Sequence, residues 1–406
     1  MKKNFTHLLL LACVFAGCSK NDVKPEQGLD PKDITLQEKY EVNTFTVLNI
    51  PAGANTADPT YQWVLTKNPV NQVTDSVVGN TKDYRFIAVY PGTYELSLNV
   101  LSAGKKGVKK TTINVLPEAK NYNPYITNIY DFNPAPGMFA NELYVAGNLK
   151  AEVMRKALGR INETSVGYHL DLGGFGGAIV VGFDHTVVNV SGQKDFRVYG
   201  GDLSDKADPP APGLIYVAYD KNKNGQPDED EWYEIIGSQH AKENTIKNFK
   251  ITYHKKAVGL PVVVAGPNDP FTDREHIFCE NNQPQTYYLS RAKTRKEYYP
   301  LWAVQNTAVF EGMKLNVDFG PARAGQSTLW NFTAPQWGYV NSVDPDIDID
   351  WAVDKNGKKA NLPGVDFIKI VNCVSEPMGL CQQQSSMATK FSGAGDLHLL
   401  KRYNLR

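Results

Sequence analysis

The acidic stretch 220–231 is the segment whose residue types and spacing most clearly indicate chemistry. It fits the calcium-loop pattern D-x-[DN]-x-[DN]-G-x5-E at every fixed position. Oxygen-bearing side chains alternate so that they can converge on one hard cation, Gly225 permits a sharp turn, and position 7 offers a backbone carbonyl. The predicted calcium ligands are Asp220, Asn222, Asn224, Gln226, Asp228 and Glu231.

The sequence on either side of this loop predicts strands rather than the helices of a helix–loop–helix site. Residues 214–219 and 232–236 are rich in β-branched and aromatic side chains. A calcium-type loop between two strands would hold a β domain together at that point. Asn, Asp and Gly are also ordinary turn residues, so a solvated turn without an ion is the alternative prediction.

The remaining acids, histidines and serines form no recognisable catalytic motif. The sequence contains neither H-E-x-x-H nor G-x-S-x-G, and His398 near Asp396 is typical of a hydrogen-bonded structural histidine. The glycine cluster 173–177 lacks the Lys-Ser/Thr of a phosphate-binding loop, and we predict a tight turn or a close backbone approach there. We therefore expect no enzyme, although a glycosidase pair of carboxylates would leave no short motif.

A set of aromatic residues lies in stretches rich in glycine and proline. Aromatic faces on loops bind flat or amphipathic ligands such as sugars or macrocycles. The same rings could instead fill a hydrophobic core. The candidate ligand-binding residues are Tyr298, Tyr299, Trp302, Trp330, Trp337 and Tyr339.

The first residues predict export and lipid anchoring. A basic start, an apolar run over 8–16 and small residues before Cys18 are typical of a secretory signal. Val-Phe-Ala-Gly-Cys at 14–18 also fits a bacterial lipobox, in which Cys18 would carry the lipid. An ordinary secretory signal with an incidental cysteine is the alternative. The run is too short to span a bilayer, so we predict a lipid-anchored outer-membrane protein that faces the cell exterior.

Charge and cysteine content narrow the class further. Basic and acidic residues balance at 43 each, which gives no indication of nucleic-acid binding. Cys373 and Cys381 are close enough in sequence to form a disulfide in an oxidising compartment, which would leave Cys279 over. All three could equally be small buried hydrophobic residues.

Short alternating strands separated by Gly/Pro-rich turns predict a mainly β protein. Residues 1–17 would be the signal peptide, 18–33 a tether, 34–117 a small β-sandwich, 118–124 a linker and 125–406 a larger ligand-binding domain. The larger domain would be an antiparallel sandwich or jelly roll that carries the calcium-type loop. One helix is predicted over 142–159, although its apolar periodicity is imperfect.

The region 34–117 resembles PKD-like domains. A Pro-Gly turn leads into strict alternation, and a tryptophan lies in the middle of the region; the residues are Trp63, Pro91, Gly92, Tyr94, Leu96, Leu98 and Val100. The Gly-Asp-Gly that usually follows the tryptophan is absent, so this would be a divergent member. The resemblance implies a spacer or an interaction module with an immunoglobulin-like sandwich fold.

The region 125–398 resembles, as an ordered set of motifs, the C-terminal part of surface lipoproteins of Bacteroidota-type bacteria. The motifs lie at 173–177, 195–200, 212–217, 231–238, 299–302, 337–340, 350–354 and 365–369. Some relatives are similar to BtuH-type cobalamin-binding lipoproteins. The resemblance implies capture of a nutrient, with cobalamin as the first candidate, for a TonB-dependent transporter. A surface glycan-binding protein or carbohydrate-active enzyme is the first alternative, and an adhesive or structural surface protein is the second.

Overall fold

The structure is a computed structural model of the chain, and it describes residues 28–70, 72, 75–161, 168–283, 286–321, 330–378 and 385–405. The predicted lipidation site Cys18 and the predicted disulfide partner Cys381 lie outside these residues. The chain is mainly β, which confirms the predicted fold class. Among the described residues, no helix has the length and apolarity needed to cross a bilayer.

Nine strands build the N-terminal part of the described chain. They are β1 (Ile34–Thr35), β2 (Lys39–Asn43), β3 (Leu48–Ile50), β4 (Gly53–Ala54), β5 (Thr60–Lys67), β6 (Ser76–Gly79), β7 (Tyr84–Phe86), β8 (Gly92–Ser102) and β9 (Lys105–Leu116). A short 3-10 turn, Pro31–Asp33, precedes them.

These strands form a sandwich around one tryptophan. The larger sheet has the order β2-β9-β8-β5-β6, with β2 parallel to β9, and the pairs β3–β7 and β1–β4 cover it. The alternation predicted after the Pro-Gly turn places Leu96 and Leu98 of β8 in the core, beside the fully buried Trp63. The indole N–H of Trp63 donates to the Thr81 carbonyl at 3.0 Å, so its one polar atom is satisfied.

The rest of the chain is also built mostly of strands. Its first half contains β10 (Asn128–Asn133), α1 (Lys150–Ile161), β11 (Leu170–Asp171), β12 (Ala178–Val188), β13 (Phe196–Gly200), β14 (Gly213–Ala218), β15 (Trp232–Ile235), β16 (Ile246–Lys255) and β17 (Phe271–Asn281). Its second half contains β18 (Thr286–Ala292), β19 (Thr307–Lys314), β20 (Phe319–Pro321), β21 (Trp330–Phe332), β22 (Asp346–Ile347), β23 (Ala352–Val353), β24 (Gly364–Asn372), β25 (Pro377–Met378), β26 (Ser385–Ser386), β27 (Lys390–Asp396) and α2 (Leu397–Arg402). The 3-10 turns Glu229–Glu231 and Ile349–Trp351 lie between strands.

Two antiparallel sheets share the main core of this part. One has the order β10-β12-β24-β14-β15-β23 and the other the order β11-β27-β13-β22. Ile179, Ile215 and Ile368 of the first sheet pack in one cluster with Phe196 and Phe391 of the second. A third sheet, β18-β17-β16-β19, has its own core around Tyr253 and Phe249.

The glycine cluster 173–177 joins the main sheets to the third sheet by a close backbone approach, as predicted. A Cβ atom on Gly173, whose φ is +73°, would lie 1.9 Å from the Ala135 carbonyl oxygen. A Cβ on Gly177 would lie 1.7 Å from the Leu172 carbonyl oxygen. Any side chain at these two positions would therefore force the backbones apart.

The helix α1 begins later than the sequence predicts. The prediction of a helix from residue 142 is wrong over its first eight residues, because α1 begins at Lys150. Gly147 adopts a φ of +88°, which a right-handed helix does not permit. Glu152 then accepts a hydrogen bond at 2.9 Å from the N–H of Leu149, so its side chain satisfies one of the free donors at the helix start.

Candidate ligand-binding cleft and metal loop

A cleft of about 1020 Å³ lies between the N-terminal sandwich and the rest of the chain. Strands β6 and β7 form one wall, with Val77 and Arg85 among its residues. Segments after β12 and before β24 form the other wall, with Asn189 and Asn361. Its volume is at the upper end of the range of about 300–1,000 Å³ found for ligand sites.

The walls of the cleft offer hydrogen-bonding amides beside apolar surface. Asn189 donates to the Asp350 carboxylate at 3.2 Å, and Asp350 also lies 3.4 Å from the ammonium group of Lys359. On the other wall, Val77 is about half exposed although it is apolar (53%). A mixture of exposed apolar area and a few fixed polar groups is the usual composition of a small-molecule site.

One end of the cleft is formed by a buried histidine–carboxylate pair. His398 Nε2 lies 2.9 Å from Asp195 Oδ1, and Asp195 also accepts the backbone N–H groups of Val190 and Ile349 at 2.9 Å. Burial disfavours the charged imidazole, but the carboxylate of Asp195 raises the pKa of His398 above its ordinary value. The predicted structural role of this histidine agrees with these contacts, although its ring partner is Asp195 and not Asp396.

Contacts between the two parts of the chain lie beside the cleft. The Arg85 guanidinium donates to the Asn361 carbonyl at 3.2 Å, and Arg402 donates to the Val89 carbonyl at 3.2 Å. At the linker, Phe45 packs edge-on against Tyr122 with ring centroids 5.1 Å apart. These contacts join the N-terminal sandwich to the rest of the chain.

The acidic loop lies between two antiparallel strands, which confirms the predicted flanks. β14 and β15 pair through Ala218 opposite Trp232. Inside the loop, Asp220 accepts the backbone N–H groups of Asn224 and Gly225 at 3.1 and 2.8 Å. Asn224 in turn accepts the N–H of Gln226 at 2.7 Å. These bonds curl the backbone around the side chains at loop positions 1, 3 and 5.

Glu231 provides the test of whether the loop suits a cation. Its side chain is buried (2% exposed); Oε1 accepts the N–H of Lys221 at 2.7 Å, and Oε2 has no hydrogen-bond partner among the described residues. A buried carboxylate oxygen without a partner is costly unless a cation or a proton satisfies it. The Asp228 carboxylate accepts both side-chain amides, from Asn222 at 2.7 Å and from Asn224 at 2.8 Å.

A metal in this loop would depend on amide and carbonyl oxygens as well as carboxylates. The described residues contain no group of three or more His, Cys, Asp or Glu side chains assembled for a metal. The carboxylates of Asp220 and Glu231 and the amide oxygens of Asn222 and Asn224 are hard oxygen donors, which suit calcium better than a transition metal. The donor set therefore fits calcium, and Asp220, Asn222, Asn224, Asp228 and Glu231 would hold it.

The predicted ligand-binding aromatics lie away from the cleft. Tyr298, Tyr299 and Tyr339 are core residues, each at most 1% exposed. A ring without accessible area cannot stack on a ligand, so the structure corrects their predicted role to packing. The physical reason is that the surrounding Gly/Pro-rich segments fold back over them. For example, Gly237 approaches the Tyr339 ring so closely that a Cβ there would lie 2.3 Å from it.

The predicted tryptophans are half-buried packing residues or lie in a short strand. Trp302 stacks between Phe132 and Tyr144, with ring centroids 6.1 Å from each. Trp337 lies 4.6 Å from the Trp351 ring. Trp330 begins strand β21, and its side chain is outside the described part of the structure. The five of these aromatic residues whose side chains the structure describes are therefore not brought together as a ligand platform.

The cysteines that the structure describes are buried. Cys279 lies in β17, and Cys373 follows β24 with its thiol 3.2 Å from the Pro212 carbonyl. Burial raises the pKa of both thiols, so neither is a reactive thiolate at neutral pH. The pairing of Cys373 with Cys381 stays a prediction, because Cys381 lies outside the described residues.

Sequence reasoning missed the cleft because it forms between segments that are distant in the chain. Asn189 and Asn361 converge with Arg85 only after the sandwich packs on the rest of the protein. Single asparagines and lysines carry no short motif. The sequence signal for the cleft was weak: Val77 is an apolar residue on the exposed face of a strand. A single exposed apolar residue is common on protein surfaces.

Comparisons with known proteins find only distant structural likeness. The sequence matches no protein-family model and no curated protein. The PKD domain of human KIAA0319 is 13% identical, covers 22% of this chain and 86% of its own, and has a TM-score of 0.19. The fibronectin(III)-like modules of CbhA from Clostridium thermocellum are 16% identical, cover 21% of this chain and 96% of their own, and have a TM-score of 0.17.

Another of the solved structures spans most of the chain. A SusE-like protein is 9% identical, covers 90% of this chain and 97% of its own, and has a TM-score of 0.21. All three TM-scores are below 0.5 and all three identities are below 25%. What these proteins bind therefore carries no weight for this chain.

Proposed function

We propose that this protein is a lipid-anchored binding protein of the bacterial cell surface that captures a nutrient in the cleft between its two parts. The cleft carries the proposal, since it combines a volume of about 1020 Å³ with amides, charged groups and exposed apolar area. Cobalamin is the first ligand to test, and delivery to a TonB-dependent transporter would be the physiological purpose. Lipid on Cys18 would hold the protein at the outer membrane.

The chemistry of the cleft supports binding more than catalysis. Two of its charged pairs are Asp350 with Lys359 and His398 with Asp195. A catalytic acid or base needs to be within hydrogen-bond reach of the reacting group, whereas Asp195 is fully buried and His398 is only 6% exposed. The Asn361 amide is a neutral donor and acceptor, and Asn189 offers its amide oxygen, because its amide N–H groups donate to Asp350 and to the Leu362 carbonyl. Such neutral groups suit a large neutral or weakly charged ligand.

Calcium would act in this proposal as a structural ion outside the cleft. Asp220, Asn222, Asn224, Asp228, Glu231 and the Gln226 carbonyl would hold it. The ion supplies charge that satisfies the buried Glu231 carboxylate and ties β14 to β15. No step of ligand capture depends on it.

Calorimetry tests the proposal with the chain from residue 19, which keeps every described residue. We expect cobalamin to bind with one site per chain. Val77→Trp, which places a large ring in the cleft, should weaken binding at least about tenfold. Val108→Trp is the matched control, because Val108 is a similarly exposed valine of the same sandwich (42%) outside the cleft.

A glycan array run on the same protein separates the main alternative. Asparagine amides also bind sugar hydroxyls, so the cleft composition suits a surface glycan-binding protein as well. If the protein binds a glycan and no cobalamin, and Val77→Trp abolishes that binding, the ligand is a glycan and the cleft is its site. Unchanged binding in Val77→Trp would show that the cleft is not the site.

A further inference from the structure

The loop between β16 and β17 exposes an unbroken apolar segment. Residues 257–265, Ala-Val-Gly-Leu-Pro-Val-Val-Val-Ala, are all exposed, and none of them has a polar side chain. Val258 is fully exposed, and Leu260 and Val262 each expose more than half of their area. Exposed apolar residues are ordinary when single, but a contiguous run of this size marks an interaction surface.

The segment is held in place and is not a slack loop. The N–H of Val263 donates to Asp273 Oδ1 at 3.0 Å, and the N–H of Arg274 donates to the Val263 carbonyl at 2.7 Å. These bonds fix the backbone of the segment against β17. The neighbouring side chains of Val262 and Val264 are consequently presented to solvent by a fixed backbone.

Another exposed valine, Val304, extends this surface from the neighbouring loop. The N–H of Lys255, the last residue of β16, donates to the Asn306 carbonyl at 2.8 Å, just before β19 begins. Val258 and Val304 therefore follow and precede paired strands at the same end of the sheet. Val304 is 95% exposed. We call residues 257–265 together with Val304 the apolar tip.

The exposed charges around the apolar tip are mostly basic; Glu275 of β17, next to the Arg274 whose N–H binds the Val263 carbonyl, is an exposed acid there. β18 ends at Ala292, opposite the first residue of β17, so the segment after β18 lies at the same end of the sheet. That segment exposes Lys293, Arg295 and Lys296. Within 256–270 and 293–306 the two acids are partnered: Asp269 is buried and bound by Arg274, and Glu297 is bound by His276.

We propose that the apolar tip inserts into the surface of an anionic phospholipid bilayer, with the basic side chains contacting the phosphate headgroups. Interfacial binding of this kind scales with the apolar area buried plus the attraction of cationic side chains to anionic lipid. The complementarity of charge favours lipid, because the exposed basic side chains of Lys293, Arg295 and Lys296 outnumber the exposed acid Glu275 at this end of the sheet. Val258 and Val304 project from the end of a sheet and do not lie in a groove, so they can insert into a bilayer surface.

Vesicle co-sedimentation of the chain from residue 19 tests the proposal without a contribution from lipid on Cys18. The probe is vesicles of phosphatidylethanolamine with phosphatidylglycerol, compared with phosphatidylcholine alone. We expect binding to the anionic vesicles only, weakened by salt. Val258→Asp combined with Val304→Asp should lower the partition coefficient at least about tenfold, since charged side chains resist burial among acyl chains.

Two matched variants make the test specific. Val108→Asp with Val343→Asp introduces the same charges at exposed valines elsewhere and should leave binding unchanged. Lys293→Glu with Arg295→Glu and Lys296→Glu should abolish the preference for anionic lipid. The same reversal at Lys105, Lys106 and Lys110, which are exposed on the N-terminal sandwich, should not.

Three results would overturn the proposal. The first is an absence of binding to anionic vesicles. The second is vesicle binding that Val258→Asp with Val304→Asp leaves intact. The third is a concentration-dependent dimer in sedimentation that dissociates in this double variant. That result would show that the apolar tip binds a second copy of the chain. None of these results depends on which nutrient the cleft binds, so the two proposals can fail separately.

Discussion

His185 Nε2 lies 2.9 Å from Oδ2 of Asp396, the residue whose other carboxylate oxygen caps helix α2. The opposite ring nitrogen lies 2.9 Å from Asp184 Oδ1. The ring also packs against Phe45 of the N-terminal sandwich and Tyr122 of the linker, with centroids 5.5 and 5.1 Å away. One imidazole therefore connects the start of α2 with the joint between the two parts of the chain.

Protonation of His185 should make stability depend on pH. Burial opposes the charged ring, but the carboxylates of Asp184 and Asp396 raise the pKa of His185 above 6.5. A raised pKa in the folded state gives stabilisation that is complete below pH 6.5 and is lost as the pH rises through the folded pKa. We expect the free energy of unfolding, measured by denaturant titration, to fall above pH 6.5, and His185→Gln to reduce that slope.

His254→Gln provides the control for the pH experiment. His254 pairs with Glu280 on a partly exposed strand surface, where ion pairs stabilise a fold little. His398, whose pKa is also raised, should account for part of the slope that remains in His185→Gln. An identical slope in wild type and His185→Gln would contradict the linkage.

The core of the N-terminal sandwich should depend strongly on Trp63. Trp63→Ala removes a fully buried ring and the hydrogen bond to Thr81, and should cost about 3–5 kcal/mol of unfolding free energy. The sandwich should then unfold first in a thermal scan monitored by circular dichroism. Leu101→Ala, at a half-exposed position of β8, should change stability by less than about 0.5 kcal/mol. Equal losses in the two variants would contradict a single core around Trp63.

The sequence predicted correctly those elements whose structure depends mainly on neighbouring residues in the chain. Strand β8 followed from strict alternation after a Pro-Gly turn, and the flanks of the acidic loop from β-branched runs. The start of α1 was misplaced because Leu143, Val145 and Leu149 suggested an apolar face, whereas Leu149 is largely exposed (73%). The turn at Gly147 prevents a helix there in spite of the apolar periodicity.

The candidate sites show the same limit. The acidic loop is contiguous, so its residues could be named from spacing, whereas the cleft is assembled from β6, β7 and segments far along the chain. Composition alone could not tell whether an aromatic in a glycine-rich stretch faces solvent or core. Tyr298, Tyr299 and Tyr339 prove to be core because the third sheet and the glycine contacts close over them.

Lipid on Cys18 is tested by removing its thiol. Cys18→Ala should move the protein from the membrane fraction to the soluble fraction in high-salt buffer after expression in a bacterium, because thioether lipidation requires the cysteine and salt weakens binding through the apolar tip. Labelling with a radioactive fatty acid should mark the wild type and not the variant. Cys279→Ala is the matched control, since that thiol is buried within β17. An unlabelled wild-type protein would leave the ordinary secretory signal as the explanation of residues 1–17.

Calcium should stabilise the folded chain through Glu231. The ion binds ligands that are brought together only in the folded state, so at calcium about 100-fold above its dissociation constant the gain is about 2.7 kcal/mol. Magnesium should give less, because it demands a tighter octahedral shell than this mixed loop offers. Glu231→Gln removes the charge of the buried carboxylate and should abolish most of the gain. Asp230→Asn removes the same charge at an exposed neighbour and should keep the gain. The measurement is thermal unfolding in excess chelator, then with calcium or magnesium restored. If the midpoint of thermal unfolding is the same under all three conditions and elemental analysis finds no bound metal, the loop is a solvated turn without an ion.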